Sequence, residues 1–359
     1  MEKTSQFQKI QKQVLEQFGL LYTLARTGHY ALQGLPLPYI DRIATGKKRP
    51  APKEFTEHLK DALGKIKNLH LEDINNIKNG LYPVDVLYPE NFLTHAYRYT
   101  QLLRDSFQIS KRRNIKKSKD FSNEKVVGLA DLPAYYARNF HYQTDGYLSE
   151  ESAELYEHQV EILFSGAADP MRRLILPPLK KHFVGSGKGL HFLEIGSGTG
   201  RLTRSLALAY PDAHLTCVDL SSVYLKKAEE RLKNFNNINY CQAPAEILPF
   251  KSCKFDAVVS CFLFHELPFE IRKQVLSECM RVTKSNGFIG MVDSIQKNDD
   301  AEFQWALKQF PVDFHEPFYK NYVSHPMEDL MSAVGLKRIN SQPGFLSKAV
   351  SGVKKPTRK

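Results

Sequence analysis

The chain has 359 residues, of which 42% are hydrophobic and 25% charged, a composition typical of a folded protein with a sizeable core. This length favours two structural units over one. No stretch approaches the roughly 18 consecutive apolar residues that indicate a membrane-spanning helix, and the N-terminal residues lack the apolar segment of a secretory signal. The five cysteines show neither metal-ligand spacing nor a disulfide framework. We therefore expect a cytoplasmic protein with reduced cysteines and no transmembrane segment.

The formal net charge of +11 is unevenly distributed. Most of it lies before residue 131, in the basic runs 47–49 and 111–119, and a further basic cluster closes the chain at 354–359. Such runs can contact nucleic acid or an anionic membrane surface. Because no aromatic side chain is interleaved with them, a solvated linker and tail is the favoured interpretation. Nucleic-acid binding is kept as a less favoured alternative.

The first apolar pattern with helical spacing covers residues 4–27. Its stripe predicts a buried face, formed by Phe7, Ile10, Val14, Phe18, Leu21 and Leu24. The four prolines between residues 36 and 52 then predict a loop. The sequence therefore begins with a helix that should pack against others.

Two further helices are expected over 53–68 and 90–107, where apolar residues again recur at helical spacing. Together these patterns predict an all-helical N-terminal unit over 1–110. The basic stretch that follows is the best candidate for a boundary between units. We therefore predict a basic linker over 111–130.

Residues 131–185 are expected to form a lid over a binding cleft. Their first part is rich in tyrosine and histidine and includes His141 and Tyr142. Ser149 provides a cap for a helix that runs through Leu163, and another helix is predicted over 169–181. Aromatic side chains in such a place either line a substrate pocket or pack one helix on another. The sequence leaves both interpretations open.

A strand over Leu190–Ile195 runs directly into glycines at alternate positions, Gly196, Gly198 and Gly200, and a helix begins at Arg201. Glycine allows a sharp turn and lets a ligand approach bare backbone. A dinucleotide-binding loop needs the spacing G-x-G-x-x-G, whereas the third glycine here comes one residue early. Glu194 leads into the loop and favours a cationic ligand over a diphosphate. S-adenosylmethionine, which carries a sulfonium and an ammonium and has no phosphate, satisfies these conditions.

After this loop, strands and helices alternate with short connections, which is the pattern of a doubly wound parallel sheet. The predicted strands are Leu190–Ile195, His214–Val218, Ile238–Cys241, Phe255–Cys261 and Gly287–Val292. The predicted helices are Arg201–Ala209, Ser222–Asn234, Glu270–Thr283 and Met327–Ala333. A closing antiparallel hairpin is expected from Leu336–Ser341 and Phe345–Ser351. The fold class is therefore α/β, a Rossmann-like, mostly parallel seven-stranded sheet with an N-terminal helical unit.

The glycine loop resembles motif I of class I S-adenosylmethionine-dependent methyltransferases. The order of elements, the loop Ala243–Phe250 and the segment after Cys261 resemble the ubiquinone and menaquinone biosynthesis type over about residues 186–350. The resemblance implies a methyltransferase domain over 186–351, followed by a basic tail over 352–359. It implies a set of cofactor-binding residues, namely Glu194, Gly196, Ser197, Gly198, Gly200, Asp219, Leu220, Ala245, Glu246, Cys261 and Phe262.

One of these assignments rests on a strand end, and another on a departure from the family pattern. Asp219 ends the second strand about twenty residues after the glycines, where a carboxylate can accept both ribose hydroxyls. Pro244 stands where the family has an aspartate and Ala243 where it has a glycine. Proline supplies neither carboxylate nor N–H, so adenine recognition is expected to shift to the Ala245 backbone or elsewhere.

Methyl transfer from a sulfonium needs no metal, but a hydroxyl or activated-carbon acceptor needs a base. His265 has a suitable unperturbed pKa, and His141 and Tyr142 on the lid are rival candidates. His265 can instead serve only as a hydrogen-bonded residue at a helix start. We expect no metal in the site.

The sequence thus predicts an S-adenosylmethionine-dependent methyltransferase that acts on a small, amphipathic molecule. The chain lacks the Pro-Pro-aromatic motif of enzymes that methylate flipped nucleic-acid bases, which argues against that substrate. Two alternatives stay open. The acceptor can be a protein or RNA docked by the basic N-terminal unit, or the domain can be a cofactor-binding scaffold without turnover.

Overall fold

The computed structural model describes residues 2–48, 57–87, 92–121 and 132–356. The strands in this part of the chain are β1 (His191–Ile195), β2 (His214–Asp219), β3 (Ile238–Gln242), β4 (Phe255–Cys261), β5 (Thr283–Ser294), β6 (Lys337–Gly344) and β7 (Ser347–Val353). They form one sheet in the order β3-β2-β1-β4-β5-β7-β6. The first five of that order are mutually parallel, and β7 runs antiparallel between β5 and β6. The predicted α/β class, the strands and the closing hairpin are confirmed.

The strand order reverses at β1, which pairs with β2 on one side and β4 on the other. Ile195 at the end of β1 is level with Val218 and with Ser260. The loops that leave β1 and β4 therefore separate at this edge, which is where open parallel sheets bind ligands. The sheet topology places the glycine loop at this switch point.

The helices outside the N-terminal unit are α5 (Glu150–Leu163), α6 (Ala168–Arg173), α7 (Leu176–His182), α8 (Arg201–Ala209), α9 (Ser222–Leu232), α10 (Phe269–Val282), α11 (Gln304–Asp313), α12 (Tyr319–Ser324) and α13 (Met327–Ala333). They cover both faces of the sheet. Successive residues of β1 point to opposite faces, so Phe192 joins one hydrophobic cluster with α7 and α8, and Leu193 joins another with α10 and α13. None of the described helices is long and apolar enough to cross a membrane.

Several of these helices differ from the predictions. Ser149 caps α5 as expected, its hydroxyl accepting the Ser152 N–H. The helix expected over 169–181 is instead the pair α6 and α7, because Pro177 and its neighbour Pro178 favour a new helix start over continuation. Helix α11 was not predicted.

The N-terminal helices are α1 (Glu2–Gly34), α2 (Leu37–Thr45), α3 (Leu59–Lys78) and α4 (Phe92–Ile115). Helix α2 occupies part of the predicted proline loop, since a proline in the first helical turn loses no hydrogen bond. A helix was expected over 53–68, and its first residues, 53–56, lie outside the described part of the chain. Helix α3 continues ten residues beyond the predicted end of that helix. Helix α4 extends to Ile115 and so includes the first residues of the predicted linker over 111–130. Residues 122–130 of that linker lie outside the described part of the chain.

The prediction that the apolar stripe of the first helix is buried is wrong where the structure describes it. Exposed side chains on α1 include Val14, Phe18, Leu21 and Leu24. The buried face is instead made by Gly19, whose missing side chain lets Ile74 of α3 approach, and by Thr23 and Tyr30. A small residue and two hydroxyl side chains therefore form the contact, and apolar spacing could not reveal it. The side chains of Phe7 and Ile10 lie outside the described part.

A buried ion pair joins the N-terminal helices to the rest of the molecule. The Arg173 guanidinium on α6 donates to both carboxylate oxygens of Asp73 on α3, at 2.8 and 2.6 Å. The Tyr82 hydroxyl donates to the same carboxylate at 2.7 Å. Leu69 of α3 also belongs to the hydrophobic cluster that covers the sheet. Helix α3 thus shares a core with the sheet.

Candidate active site

The glycine loop turns through backbone conformations that favour glycine. Gly198 has a φ of +52°, and a Cβ built on it would meet only Tyr224, at 4.0 Å, so the space beside it is open. Gly200 has a φ of +78°, and a Cβ there would come within 2.8 Å of Leu232 on α9. Gly198 therefore leaves bare backbone facing the cleft, whereas Gly200 allows two helices to approach each other.

Asp219 fastens this loop to the end of β2. Its carboxylate accepts the Gly198 N–H and the Ser221 N–H, each at 2.8 Å. Burial raises the pKa of Asp219 to about 6, although these two N–H groups favour the ionised form. The carboxylate therefore points at the glycine loop.

Glu194 lies beneath the loop and is 3% exposed. It accepts the Thr203 hydroxyl at 2.5 Å. Burial raises the pKa of Glu194 to about 8, against the effect of this hydrogen bond. A buried carboxyl of this kind gains free energy from a nearby positive ligand.

A cavity of about 880 Å³, called the cofactor cavity below, lies over the glycine loop. Its lining includes Glu194, Gly196, Ser197, Gly198, Asp219, Leu220, Ala245, Glu246, Cys261 and Phe262. Of the residues predicted to bind a cofactor, Gly200 does not line it and has the packing role described above. Ala243 and Pro244 also line it, so the departure from the family pattern faces the cavity.

Acidic side chains outnumber basic ones in this lining. Five carboxylates contribute, those of Glu157, Glu194, Asp219, Glu246 and Glu266. The two guanidinium groups, of Arg172 and Arg201, are paired with Glu157 and Asp169 respectively. The second oxygen of Glu246 is buried without a hydrogen-bond partner. The donor set therefore suits a positively charged ligand with hydroxyl or amine donors, and does not suit a diphosphate.

Residues of the predicted lid close one side of this cavity. The Tyr135 hydroxyl donates to Glu246 at 2.6 Å. The Tyr147 hydroxyl donates to Glu266, and the Ser221 hydroxyl donates to the Tyr147 carbonyl at 2.6 Å. The aromatic residues of this segment thus form cavity wall, held in place by carboxylates at the ends of the loops.

A second cavity of about 620 Å³, called the acceptor cavity below, shares Tyr156 and Phe262 with the cofactor cavity. Most of its lining is apolar or aromatic, and its polar members are His141, Tyr156, His265, Ser294, Tyr319 and Ser347. Two imidazoles therefore face a largely apolar space beside the predicted cofactor site.

His265 is held by Asp293, which ends the parallel part of β5. The Asp293 carboxylate lies 2.6 Å from Nδ1 of His265 and also accepts the Phe264 N–H at 2.8 Å. Burial disfavours the imidazolium, but the Asp293 charge and hydrogen bond outweigh it and raise the pKa of His265 to about 9. The pairing fixes the ring through Nδ1, and Nε2, which lies 3.8 Å from a Glu266 carboxylate oxygen, is the nitrogen left to a ligand.

Both nitrogens of His141 are engaged. Nδ1 lies 3.0 Å from Glu316, while Nε2 lies 3.0 Å from the Tyr147 hydroxyl and 3.5 Å from Glu266. Burial opposes the charged form, but the two carboxylates raise the pKa of His141 to about 10. The three acidic and imidazole side chains offer ligand atoms within 4.8 Å of one another, close enough for a metal ion. The imidazolium already balances part of this charge, so a cation is not needed to explain the cluster.

Tyr142 lies outside both cavities. It is buried, its carbonyl accepts from Arg112 at 3.2 Å, and its ring packs against His315. These contacts give it a role in anchoring the lid segment. The structure does not place it beside the predicted acceptor position.

The predicted set contained four fewer acids than the site: Glu157 and Glu266 line the cofactor cavity, and Asp293 and Glu316 contact the two histidines. Asp293 was recognisable as an acid at the end of a predicted strand that neighbours β4 in this fold. Glu316 lies in an irregular segment between α11 and α12, with no local pattern to indicate it. Its side chain contacts His141 only in the folded molecule, where the two distant segments meet.

Residues 192–287 match the protein family described as methyltransferase domain. The chain is 35% identical over 126 residues to demethylmenaquinone methyltransferase of Thermotoga maritima, covering 35% of this chain and 52% of that protein. It is 25% identical over 178 residues to the ubiquinone/menaquinone biosynthesis C-methyltransferase UbiE of Shewanella halifaxensis, covering 44% of this chain and 70% of that protein. These matches confirm the resemblance predicted from the glycine loop and the strand ends.

The chain spans about half the length of the Thermotoga relative. Among solved structures, human N-acetylserotonin methyltransferase in complex with S-adenosylmethionine aligns with a TM-score of 0.49 and 14% identity, over 73% of this chain and 70% of that one. The whole N-terminal helical unit lies outside the residues matched by the methyltransferase family.

Proposed function

We propose that this protein is an S-adenosylmethionine-dependent methyltransferase that acts on a small, amphipathic acceptor. The observation that carries the proposal is the contact between two cavities. One is built around the glycine loop and Asp219, and the other is an apolar space into which His265 faces. A methyl donor and an acceptor held in these two spaces would meet at their shared wall.

The cofactor cavity fits S-adenosylmethionine through charge and hydrogen bonding. Asp219 would accept the ribose hydroxyls, the bare backbone at Gly198 would lie against the ligand, and Glu194 would favour its positive charge. When bound, the cofactor supplies a methyl group on a cationic sulfur that departs as a neutral thioether. The residues of this chain need only bind, orient and exclude water.

His265 would take the proton that the acceptor loses. Asp293 occupies Nδ1, so Nε2 is left to receive a proton from a hydroxyl or an activated carbon in the acceptor cavity. The deprotonated oxygen or carbon of the acceptor would then be ready to receive the methyl group that a cofactor held by Glu194, Gly198 and Asp219 would supply, with the electron pair of the broken carbon–sulfur bond left on sulfur. His141 would act differently, since its contacts with Glu316 and Tyr147 make it a positioning residue for the lid.

The name of the Thermotoga relative refers to demethylmenaquinone, and that of the Shewanella relative to the biosynthesis of ubiquinone and menaquinone. Both names refer to small molecules. The largely apolar lining of the acceptor cavity supports a small acceptor here as well. A scaffold role without turnover is less well supported, because a buried histidine–carboxylate pair beside an acceptor space serves proton transfer.

The first test is calorimetric titration of the protein with S-adenosylhomocysteine. We expect binding by the native chain and none by the variant Gly198→Val, because a side chain there would enter the cavity. The matched control is Gly189→Ala, which also substitutes a glycine of positive φ but in open space away from the cavity. Loss of binding in both variants, or no heat with the native chain, would contradict the cofactor assignment. Transfer of labelled methyl groups into a cell extract would then identify the acceptor.

A further inference from the structure

A third cavity lies between the N-terminal helices and α5. It measures about 850 Å³ and is called the outer chamber below. Its lining consists of Leu37, Leu102, Ser106, Ile109, Ser110, Arg113, His141, Tyr156, Gln159, Val160, Ile162, Leu163 and Phe314. Helices α2 and α4 supply six of these thirteen residues, and all thirteen lie outside the residues 192–287 that match the methyltransferase domain.

The outer chamber and the acceptor cavity have a common wall. His141, Tyr156, Val160 and Leu163 line both. Tyr156 also lines the cofactor cavity. The three spaces therefore follow one another around α5, with the cofactor cavity at one end and the N-terminal helices at the other.

The lining of the outer chamber is largely apolar, and its polar groups have partners. Arg113 forms an ion pair with Asp41. Gln159 donates to Asp105 at 3.3 Å, and the Ser106 hydroxyl donates to the Leu102 carbonyl at 2.7 Å. A ligand in this chamber would therefore gain little from hydrogen bonding and much from burial of apolar surface.

We propose that the outer chamber binds the apolar tail of the methyl acceptor while its head, which carries the acidic proton, occupies the acceptor cavity. The site of methyl transfer rests on the proposed function above, whereas the binding of a tail does not. The acceptor class is then a molecule with an acidic hydroxyl at one end and an apolar chain at the other. The N-terminal helical unit thereby selects the acceptor by chain length.

The test uses phenols with para-alkyl chains from ethyl to octyl, titrated by calorimetry into the full chain saturated with S-adenosylhomocysteine. Each methylene buried in the chamber should tighten binding by about fourfold, the factor that corresponds to ~0.8 kcal/mol. The variant Ile109→Trp, which fills the chamber from α4, should weaken para-octylphenol binding by about tenfold or more. It should leave para-ethylphenol binding within about twofold, because the short chain does not reach the chamber.

The matched control is Tyr97→Trp, a change at an exposed position of the same helix. Ser106→Trp provides a second filling variant should Ile109→Trp fail to fold, as judged by circular dichroism. A constant affinity along the alkyl series, or equal losses for short and long phenols in the filled variant, would overturn the proposal. If the chain-length trend appears but S-adenosylhomocysteine gives no heat, the tail site stands and the proposed methyltransferase function fails.

Discussion

At the scale of single residues, the site depends on how Asp293 controls the charge of His265. A proton-accepting imidazole must be neutral, yet the nearby carboxylate raises the pKa of His265 to about 9. At neutral pH most molecules would therefore hold the imidazolium form. The neutral fraction increases tenfold for each pH unit until the pKa is reached.

This protonation predicts the pH dependence of catalysis. Once the acceptor has been identified, kcat/KM for its methylation should rise with pH and level off near pH 9, because only the neutral imidazole of His265 can take the acceptor's proton. In Asp293→Asn the carboxylate charge is lost, so the pKa of His265 should fall and the rising limb should move to lower pH. Nuclear magnetic resonance titration of the His265 ring would measure that pKa independently of turnover.

Asp256→Asn is the matched control, since that carboxylate lies at the opposite end of β4 and binds Lys284. Its pH profile should coincide with that of the native chain. A profile that is flat from pH 6 to pH 9 in the native protein would exclude His265 as the base.

The contrast between Asp293 and Glu316 shows which site residues a sequence can reveal. Asp219 lies at the carboxyl end of β2 and Asp293 near that of β5, and these strands are parallel in one sheet, so the strand pattern alone brings both residues to the same edge. His141 has a φ of +54°, and its contact with Glu316 depends on the meeting of two irregular segments. Propensity and periodicity carry no information about such contacts, and these residues could only be guessed or missed.

At the scale of elements, periodicity predicted the strands and failed for the first helix. Each of the central strands is an apolar run with buried neighbours on both faces, so its residues fit no other environment. Helix α1 packs instead through Gly19 and Thr23, with apolar side chains such as Phe18 exposed. Helix start signals were reliable where a side chain caps the helix, as at Ser149.

The contact between α3 and α6 predicts a large effect on stability. Asp73→Ala should lower the free energy of unfolding by about 3–5 kcal/mol, because it leaves the buried Arg173 guanidinium without its carboxylate. Urea denaturation followed by circular dichroism would measure the change. Asp61→Ala, an exposed acid on the same helix, is the control and should change stability by less than about 0.5 kcal/mol.

An Asp73→Ala variant as stable as the Asp61→Ala control would show that the ion pair is not essential. A variant in which the N-terminal helices melt before the sheet would show that α3 adds stability only locally. The shared hydrophobic cluster argues for a single cooperative transition.

At the scale of the whole molecule, the net charge of +11 bears on the alternative of a polyanionic partner. Two arginines of the basic run 111–119 form ion pairs within the protein, Arg112 with Asp120 and Arg113 with Asp41. A small acceptor releases few counterions when it binds, whereas an RNA releases many.

We therefore expect methyl transfer to a small acceptor to change by less than about twofold between 50 and 500 mM salt. Docking of an RNA by several lysines and arginines would instead weaken by orders of magnitude over a similar range. The measurement is initial rate against salt concentration with each kind of acceptor. A steep loss with the small acceptor would favour the docked-polymer alternative.

The packing of α3 on the sheet also has a consequence for biosynthesis. Leu69 of α3 fills the space beside Gly344 at the end of β6, and Asp73 of α3 accepts hydrogen bonds from Arg173. A ribosome releases the first helices many residues before either partner exists, so they must stay unburied while most of the chain is still being made. Early helices of this protein are therefore the segments that a nascent-chain chaperone would encounter, and their final docking would come only after the last hairpin has emerged.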